Sequence, residues 1–443
     1  MAKNGPVMDE SRQVAFDSGA AEARRLFAAL SEKTGDPPGI TRIAYGDGER
    51  IAFELAAEAA QAWGAAIDHD PAGNQFITLP GSDRERCMLI GSHMDTVAHG
   101  GNFDGAAGVV LGLAVQAALV AEDRKPPFDL RVVCLRAEES CWFPHSYIGS
   151  KTALGRLDPT VLDDVRRSDS GRSLAEHMRE EGFDPAAVSE GRCLIDAARV
   201  VAYLEPHIEQ GPVLVSEDIP VGLVGAIRGS FRYRQARCLG QYAHSGATPS
   251  GMRHDAVVAA ADLIVAVQAL WAELESAGHD LAITFGQVGT DPAQHSFSKV
   301  AGEVGFCLDV RSQSEDTLGL VAGRIDTLAA EIGSRHGVRF DLGPISGSDP
   351  APMSKAMLDM MERVAGRIGL ATRTMTSGAG HDAATFAHAG IPSGMVFIRN
   401  DNGSHNPEEH MDMADFDRAL ALFLGLMDEP AEAWAAIASA EGT

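Results

Sequence analysis

At 443 residues the chain is longer than one ordinary core organises, so two domains are expected. The composition is globular, 45% hydrophobic and 22% charged, and 37 Lys and Arg face 62 Asp and Glu for a net charge of −25. That balance argues against nucleic acid or an anionic membrane as partner, but not against a small anionic substrate, because a pocket can carry a local field opposed to the global one.

Residues 1–6 lack the apolar core of a signal peptide. Helical periodicity covers 18–30, and an apolar strand follows at 88–90. The most apolar stretch, 106–121, contains Gln116 and is short for a membrane span, so it reads as a buried helix centred on 108–120. A strand at 130–135 completes the rhythm of a parallel sheet with helices on its faces. Residues 158–193, charged and broken by Pro159 and Pro185, read as surface helices. The six cysteines, Cys87, Cys134, Cys141, Cys193, Cys238 and Cys307, form no C-x-x-C pair and read as buried free thiols in a reducing compartment, hence a cytoplasmic protein. From about 228 the pattern changes: strand 230–239, helix 254–274, strands 281–288 and 303–310, helix 316–332, strand 338–342. That β-α-β-β-α-β order is the order of a ferredoxin-like unit. After Pro350 come a helix at 355–368, a strand at 394–398 and a helix from 413. The expected fold class is α/β: an open, mostly parallel sheet in a discontinuous catalytic domain, 1–227 and 347–443, with an inserted ferredoxin-like α+β domain at 228–346.

Chemistry concentrates at strand ends. His93-Met94-Asp95 follows the apolar run 87–90, where open α/β sheets hold ligands. His93 and Asp95, two apart on extended chain, point the same way, so one can ligate a cation while the other fixes the imidazole. Asp104, between Phe103 and Gly105, presents a carboxylate that two cations could share; the alternative is a loop capping the next helix. Glu138-Glu139 follows the strand 130–135. Adjacent carboxylates are costly unless a cation or proton separates them, which suggests one ligand and one base. His207, in Glu205-Pro206-His207-Ile208-Glu209-Gln210-Gly211-Pro212, and His405, in a turn-rich loop, complete a mixed N/O set suited to zinc, or to manganese where oxygen prevails.

With Gly101-Asn102-Phe103-Asp104-Gly105, His244-Ser245-Gly246, Ser377-Gly378-Ala379-Gly380-His381-Asp382-Ala383 and Ser404-His405, these motifs occur in the order seen in dinuclear zinc amidohydrolases. The chain resembles the branch holding N-carbamoyl-L-amino acid amidohydrolases, β-ureidopropionases and allantoate amidohydrolases, over roughly 85–412. The resemblance implies two divalent metals per subunit (Zn2+, or Mn2+, Co2+ or Ni2+), with His93, Asp104, Glu139, His207 and His405 as ligands and Asp104 bridging. It implies Glu138 as general base, Asp95 orienting His93, and His244 stabilising the oxyanion. Arg311 would clasp the substrate carboxylate, a task suited to a planar, permanently charged fork. Gln210 is a candidate for the ureido or amide group, and Gly378 and Ala379 for further substrate contact. Ser298 stands where the family commonly has an asparagine; its shorter reach bears on substrate choice, not on hydrolysis. Also implied is a homodimer formed through the inserted domain, which doubles as a lid. The expected activity is hydrolysis of the linear C–N bond of an N-carbamoyl-amino acid to amino acid, CO2 and ammonia. The alternatives are allantoate- or ureidoglycine-type hydrolysis and N-acyl-amino acid deacylation; a metallodipeptidase or a silent metal-binding protein fits less well.

Overall fold

The computed structural model describes residues 10–440, so the leaderless reading of residues 1–6 lies outside the described residues. The chain divides into two compact units. The first comprises the chain up to Gly225, Met353–Ser377 and the part from His381 onward. Its sheet is parallel at the centre, where Ser393–Ile398, Val200–Ile208, Asp83–His93 and Phe128–Leu135 lie side by side in that order. Antiparallel strands extend both sides: Gln75–Leu79 and Ala66–His69 beyond Phe128–Leu135, Val221–Ile227 beyond Ser393–Ile398. Central strands covered on both faces lose the in-out alternation of a half-exposed strand, and Val200–Ile208 is buried at every position.

The apolar stretch after Asp104 forms the helix Ala106–Ala121, buried nearly all round. Its one polar side chain, Gln116, donates to Ile77 O and Leu130 O at 2.9 Å each, so no polar group is stranded there. The helices within 158–193 are not simply a surface layer. Val161, Leu162, Leu174, Ala175, Met178 and Val188 turn inward onto Phe143 and Ile148 in an apolar cluster of their own. Cys87, Cys134 and Cys238 are buried free thiols, whereas Cys141 is exposed and Cys193 and Cys307 are half-buried.

The second unit spans Ala226–Pro352 and takes in Gly378–Gly380. Its antiparallel sheet runs Ala282–Thr290, Glu303–Ser312, Gly229–Leu239, Arg339–Asp341. Glu303–Ser312 alternates half-buried and buried positions, and its inward residues pack with the helices Ala256–Ser276 and Glu315–His336. Helix Ala256–Ser276 is long and apolar enough to cross a membrane by composition, yet Ala259, Leu263, Val267, Leu270 and Leu274 bury in this core. The unit exceeds the expected 228–346 at both ends. Ile345–Ser348 pairs with Gly229–Leu239, and Ala351–Pro352 with Ala226 and Ile227, a zip that Pro350 hides in the sequence.

Candidate metal centre

Parallel pairing brings three strand ends together. His93 closes Asp83–His93 opposite Leu135, Glu138 and Glu139 follow Leu135, and His207 lies near the end of Val200–Ile208. The fourth parallel strand, Ser393–Ile398, leads into the loop that carries His405. His93, Asp104 and His207 form one group, and Asp104, Glu139 and His405 another, each with its ligand atoms within 4.8 Å of one another. Asp104 belongs to both. Apart from His405 these side chains are buried.

The donor set fits a pair of cations. His93 Nδ1 faces the carbonyl of Asp95 at 3.0 Å and His207 Nδ1 that of Ile208 at 2.9 Å, so each ring places its proton on Nδ1 and a lone pair on Nε2. Both Nε2 atoms point at Asp104 Oδ1, from 3.7 and 3.2 Å. The amide of Gly105 donates to His207 Nε2 at 3.2 Å, which requires the lone pair there. Asp104 Oδ1 is buried without a hydrogen-bond partner. Lone pairs facing an ionised, unpartnered oxygen are unfavourable until a cation or a proton sits between them, and against the lowering effect of burial the neighbouring carboxylates raise the pKa of both imidazoles. Asp104 Oδ2 accepts from Gln210 Nε2 at 2.9 Å and Ser404 Oγ at 2.7 Å, which fixes the carboxylate plane. His405 Nε2 lies 3.3 Å from Asp104 Oδ2 and 3.1 Å from Glu139 Oε1. Hydrogen bonds to Asp104 and Glu139 push its pKa up to about 11, so without metal a proton takes the cation's place.

Glu138 Oε2 is 3.9 Å from His93 Nε2. Burial raises the Glu138 pKa well above the usual carboxylate range, against the pull of His93 and with the push of Glu139. The Asp95 carboxylate lies 3.4 Å from His93 Nδ1 and also reaches the glutamate pair. Its Oδ1 accepts the amide of Glu138 and its Oδ2 that of Glu139, both at 3.1 Å, so one buried carboxylate clamps both glutamates.

Several supports are invisible to sequence patterning. Glu409 accepts the amides of Phe103 at 2.9 Å and Asp104 at 3.2 Å, and its Oε2 lies 2.6 Å from Ser404 Oγ, whose single proton it shares with Asp104 Oδ2. Gly101 is required by this approach, because a Cβ there would lie 2.1 Å from Glu409 Oε1. Glu49, fully buried, accepts from Arg136 Nη1 at 2.6 Å and from the amide of Ala137 at 3.2 Å, propping the turn into Glu138 where Ala137 has φ 50°. Glu205 takes Ser92 Oγ at 2.8 Å and the amide of Ala383 at 2.6 Å, and Asp382 takes Ser150 Oγ at 2.5 Å. A glutamate inside an apolar strand was the one available signal for Glu205. His381 packs edge-on against His207, centroids 4.5 Å apart.

The remaining expected residues lie in the second unit. His244 pairs with Lys299 across a two-stranded ribbon, and its Nδ1 accepts the amides of Gly246 at 3.2 Å and Ala247 at 3.1 Å, leaving Nε2 as the protonated donor. Ser298 is exposed beside it, its carbonyl accepting the amide of Ser245 at 3.0 Å. Arg311 donates to Asp309 Oδ2 through Nη2 at 2.9 Å and to the carbonyl of Gly378 at 2.7 Å. Gly378 and Ala379 thus group with the second unit, not with the sheet that precedes them.

The profile of Peptidase family M20/M25/M40 matches residues 89–429. An N-carbamoyl-L-amino-acid amidohydrolase of Paenarthrobacter aurescens is 31% identical over 414 residues, 92% of this chain and 98% of that protein. An allantoate amidohydrolase of Escherichia coli (strain K12) is 32% identical over 405 residues, 89% of this chain and 95% of that protein. Among solved structures, an amidase of the hydantoinase/carbamoylase family from Burkholderia multivorans has a TM-score of 0.81 at 26% identity, covering 91% of this chain and 97% of that one. The chain belongs to peptidase family M20/M25/M40, in its branch of amidohydrolases acting on C–N bonds other than peptide bonds.

Proposed function

We propose that the protein hydrolyses N-carbamoyl-L-amino acids to the amino acid, CO2 and ammonia, with two divalent metals held by His93, Asp104, Glu139, His207 and His405. The observation that carries this is the buried, unpartnered Asp104 Oδ1 faced by two imidazole Nε2 atoms. Zinc suits the mixed N/O set, with Mn2+, Co2+ or Ni2+ as alternatives. When bound, such metals polarise the carbonyl and lower the pKa of a water to about 7. Glu138 takes the proton of the attacking water on its carboxylate and returns it to the leaving nitrogen. Water adds to the carbamoyl carbon, the C–N bond to the amino acid breaks, and the released carbamic acid decomposes to CO2 and ammonia. Gln210 fixes the Asp104 carboxylate through Nε2 and leaves its Oε1, buried without a partner, for an N–H of the ureido group. His244 Nε2–H donates to the developing oxyanion. Arg311 clasps the substrate carboxylate, with Ser298, Gly378 and Ala379 lining its surroundings.

In this reading the first unit is the catalytic domain, and the inserted ferredoxin-like unit is a lid through which two copies pair in the cytoplasm. A second reading, allantoate hydrolysis, is favoured by the 32% identity to the Escherichia coli allantoate amidohydrolase. The test is ammonia and amine release by the zinc- and manganese-loaded protein from N-carbamoyl-L-alanine, N-acetyl-L-alanine, allantoate and alanyl-alanine. Preferred turnover of the carbamoyl substrate is expected; turnover of the dipeptide alone would refute the proposal.

A further inference from the structure

The connection between His93 and Asp104 contains no helix or strand, so partners elsewhere must set its span. Residues 39–42 lie along it. Ile40 and Gly100 exchange both backbone hydrogen bonds at 2.9 Å. Thr96 N donates to Arg42 O at 3.0 Å, Arg42 N to Thr96 Oγ1 at 2.9 Å, and His99 N to Thr41 Oγ1 at 2.9 Å. The Arg42 side chain, 0% exposed, then crosses from one end of the connection to the other. Its Nε donates to Met94 O at 2.7 Å, one residue after His93, and its Nη1 to Asn102 Oδ1 at 3.2 Å, two residues before Asp104. Asn102 is itself tied to Phe27 O at 2.9 Å.

A neutral side chain could make such bonds without the cost of a buried charge. Among the described residues Arg42 has no ion pair within 4.0 Å, and its Nη2 has no hydrogen-bond partner. Its charge is offset at longer range by Glu409, Asp104 and Asp95. A buried guanidinium without a contact partner is expensive, so its charge must answer a field that is present when the fold forms. Glu409, Asp104 and Asp95 supply that field before any metal binds.

We propose that Arg42 is a positioning residue that holds His93 and Asp104 at their ligating separation in the metal-free protein, bracing the connection with its two hydrogen bonds and countering carboxylate repulsion with its charge. The inference rests on reading His93 and Asp104 as ligands. Arg42→Lys keeps the charge but cannot serve both Met94 O and Asn102 Oδ1, so zinc affinity measured by chelator competition should fall about tenfold or more. The gap between metal-loaded and chelated unfolding midpoints should also narrow, because zinc bound more weakly adds less stability to the fold. A merely structural arginine would lower both midpoints equally. Asn102→Ala removes one acceptor and should shift affinity in the same direction, which keeps the test readable if Arg42→Lys does not fold. Zinc affinity within about threefold of the parent in both variants, with an unchanged gap, would overturn the inference. A parent protein that takes up no stoichiometric zinc would overturn the ligand assignment and the inference with it.

Discussion

Replacing Asp95 with asparagine isolates the clamp on the two glutamates. The Asp95 carboxylate is fully buried, and its two oxygens each accept one amide, from Glu138 and Glu139, at 3.1 Å. Each such charge-assisted bond is worth about 1.5–3 kcal/mol. Asparagine retains one of them at neutral strength, about 1 kcal/mol, and turns an NH2 towards the other amide, leaving a buried donor unpaired. The expected loss is about 3 kcal/mol of stability, read from urea unfolding with chelator present so that metal binding does not contribute. His93 keeps the backbone carbonyl of Asp95 as its Nδ1 acceptor, so metal content should persist. Glu138 loses its anchor, so kcat should fall about tenfold or more while KM changes little. A loss below about 1 kcal/mol together with an unchanged kcat would refute the clamp.

Asp104→Ala should remove both metals, because its carboxylate belongs to both ligand groups; elemental analysis that still finds two per chain excludes a bridging role. Glu138→Gln should keep its metals while turnover drops about a hundredfold or more, whereas Glu139→Gln should lose metal first. Since His405 is pushed up to about 11 without metal, it is protonated at pH 7 and must give up that proton to ligate. Zinc uptake by the chelated protein should therefore release protons and tighten as pH rises, visible as a buffer-dependent calorimetric enthalpy; uptake without proton release contradicts that assignment. His244→Ala mixed with Glu138→Gln should regain activity in hybrid dimers if His244 serves the partner's site. No recovery after verified subunit exchange would show that it does not.

Legibility followed periodicity. The second unit was readable nearly element by element, since Glu303–Ser312 alternates along its length and helices such as Glu315–His336 bury a regular stripe. The central strand Val200–Ile208 was not, because a strand buried on both faces loses alternation, and Pro206 and His207 further mask it. At the site, the ligand candidates stood out by residue type at strand ends. Arg42, Glu49, Glu205, Asp382 and Glu409 did not, because their roles come from partners distant in sequence: Arg42 meets Asn102, and Glu409 meets Phe103. Gln210 was legible as a polar group near the centre but not as the donor that holds Asp104.

The position of Ser393–Ile398 between Val200–Ile208 and Val221–Ile227 has a consequence for biosynthesis. A nascent chain must grow from Ile208 to Ser393 before this central strand can enter, roughly 10–40 s at ordinary translation rates. Throughout that interval Val200–Ile208, buried at every position in the finished fold, presents an unpaired edge, the form of strand most prone to join a neighbouring chain. Ala226–Pro352 is meanwhile complete and free to fold on the ribosome. The vulnerable species is thus a half-built sheet beside a finished insertion, and holding that open edge is the task it sets a chaperone.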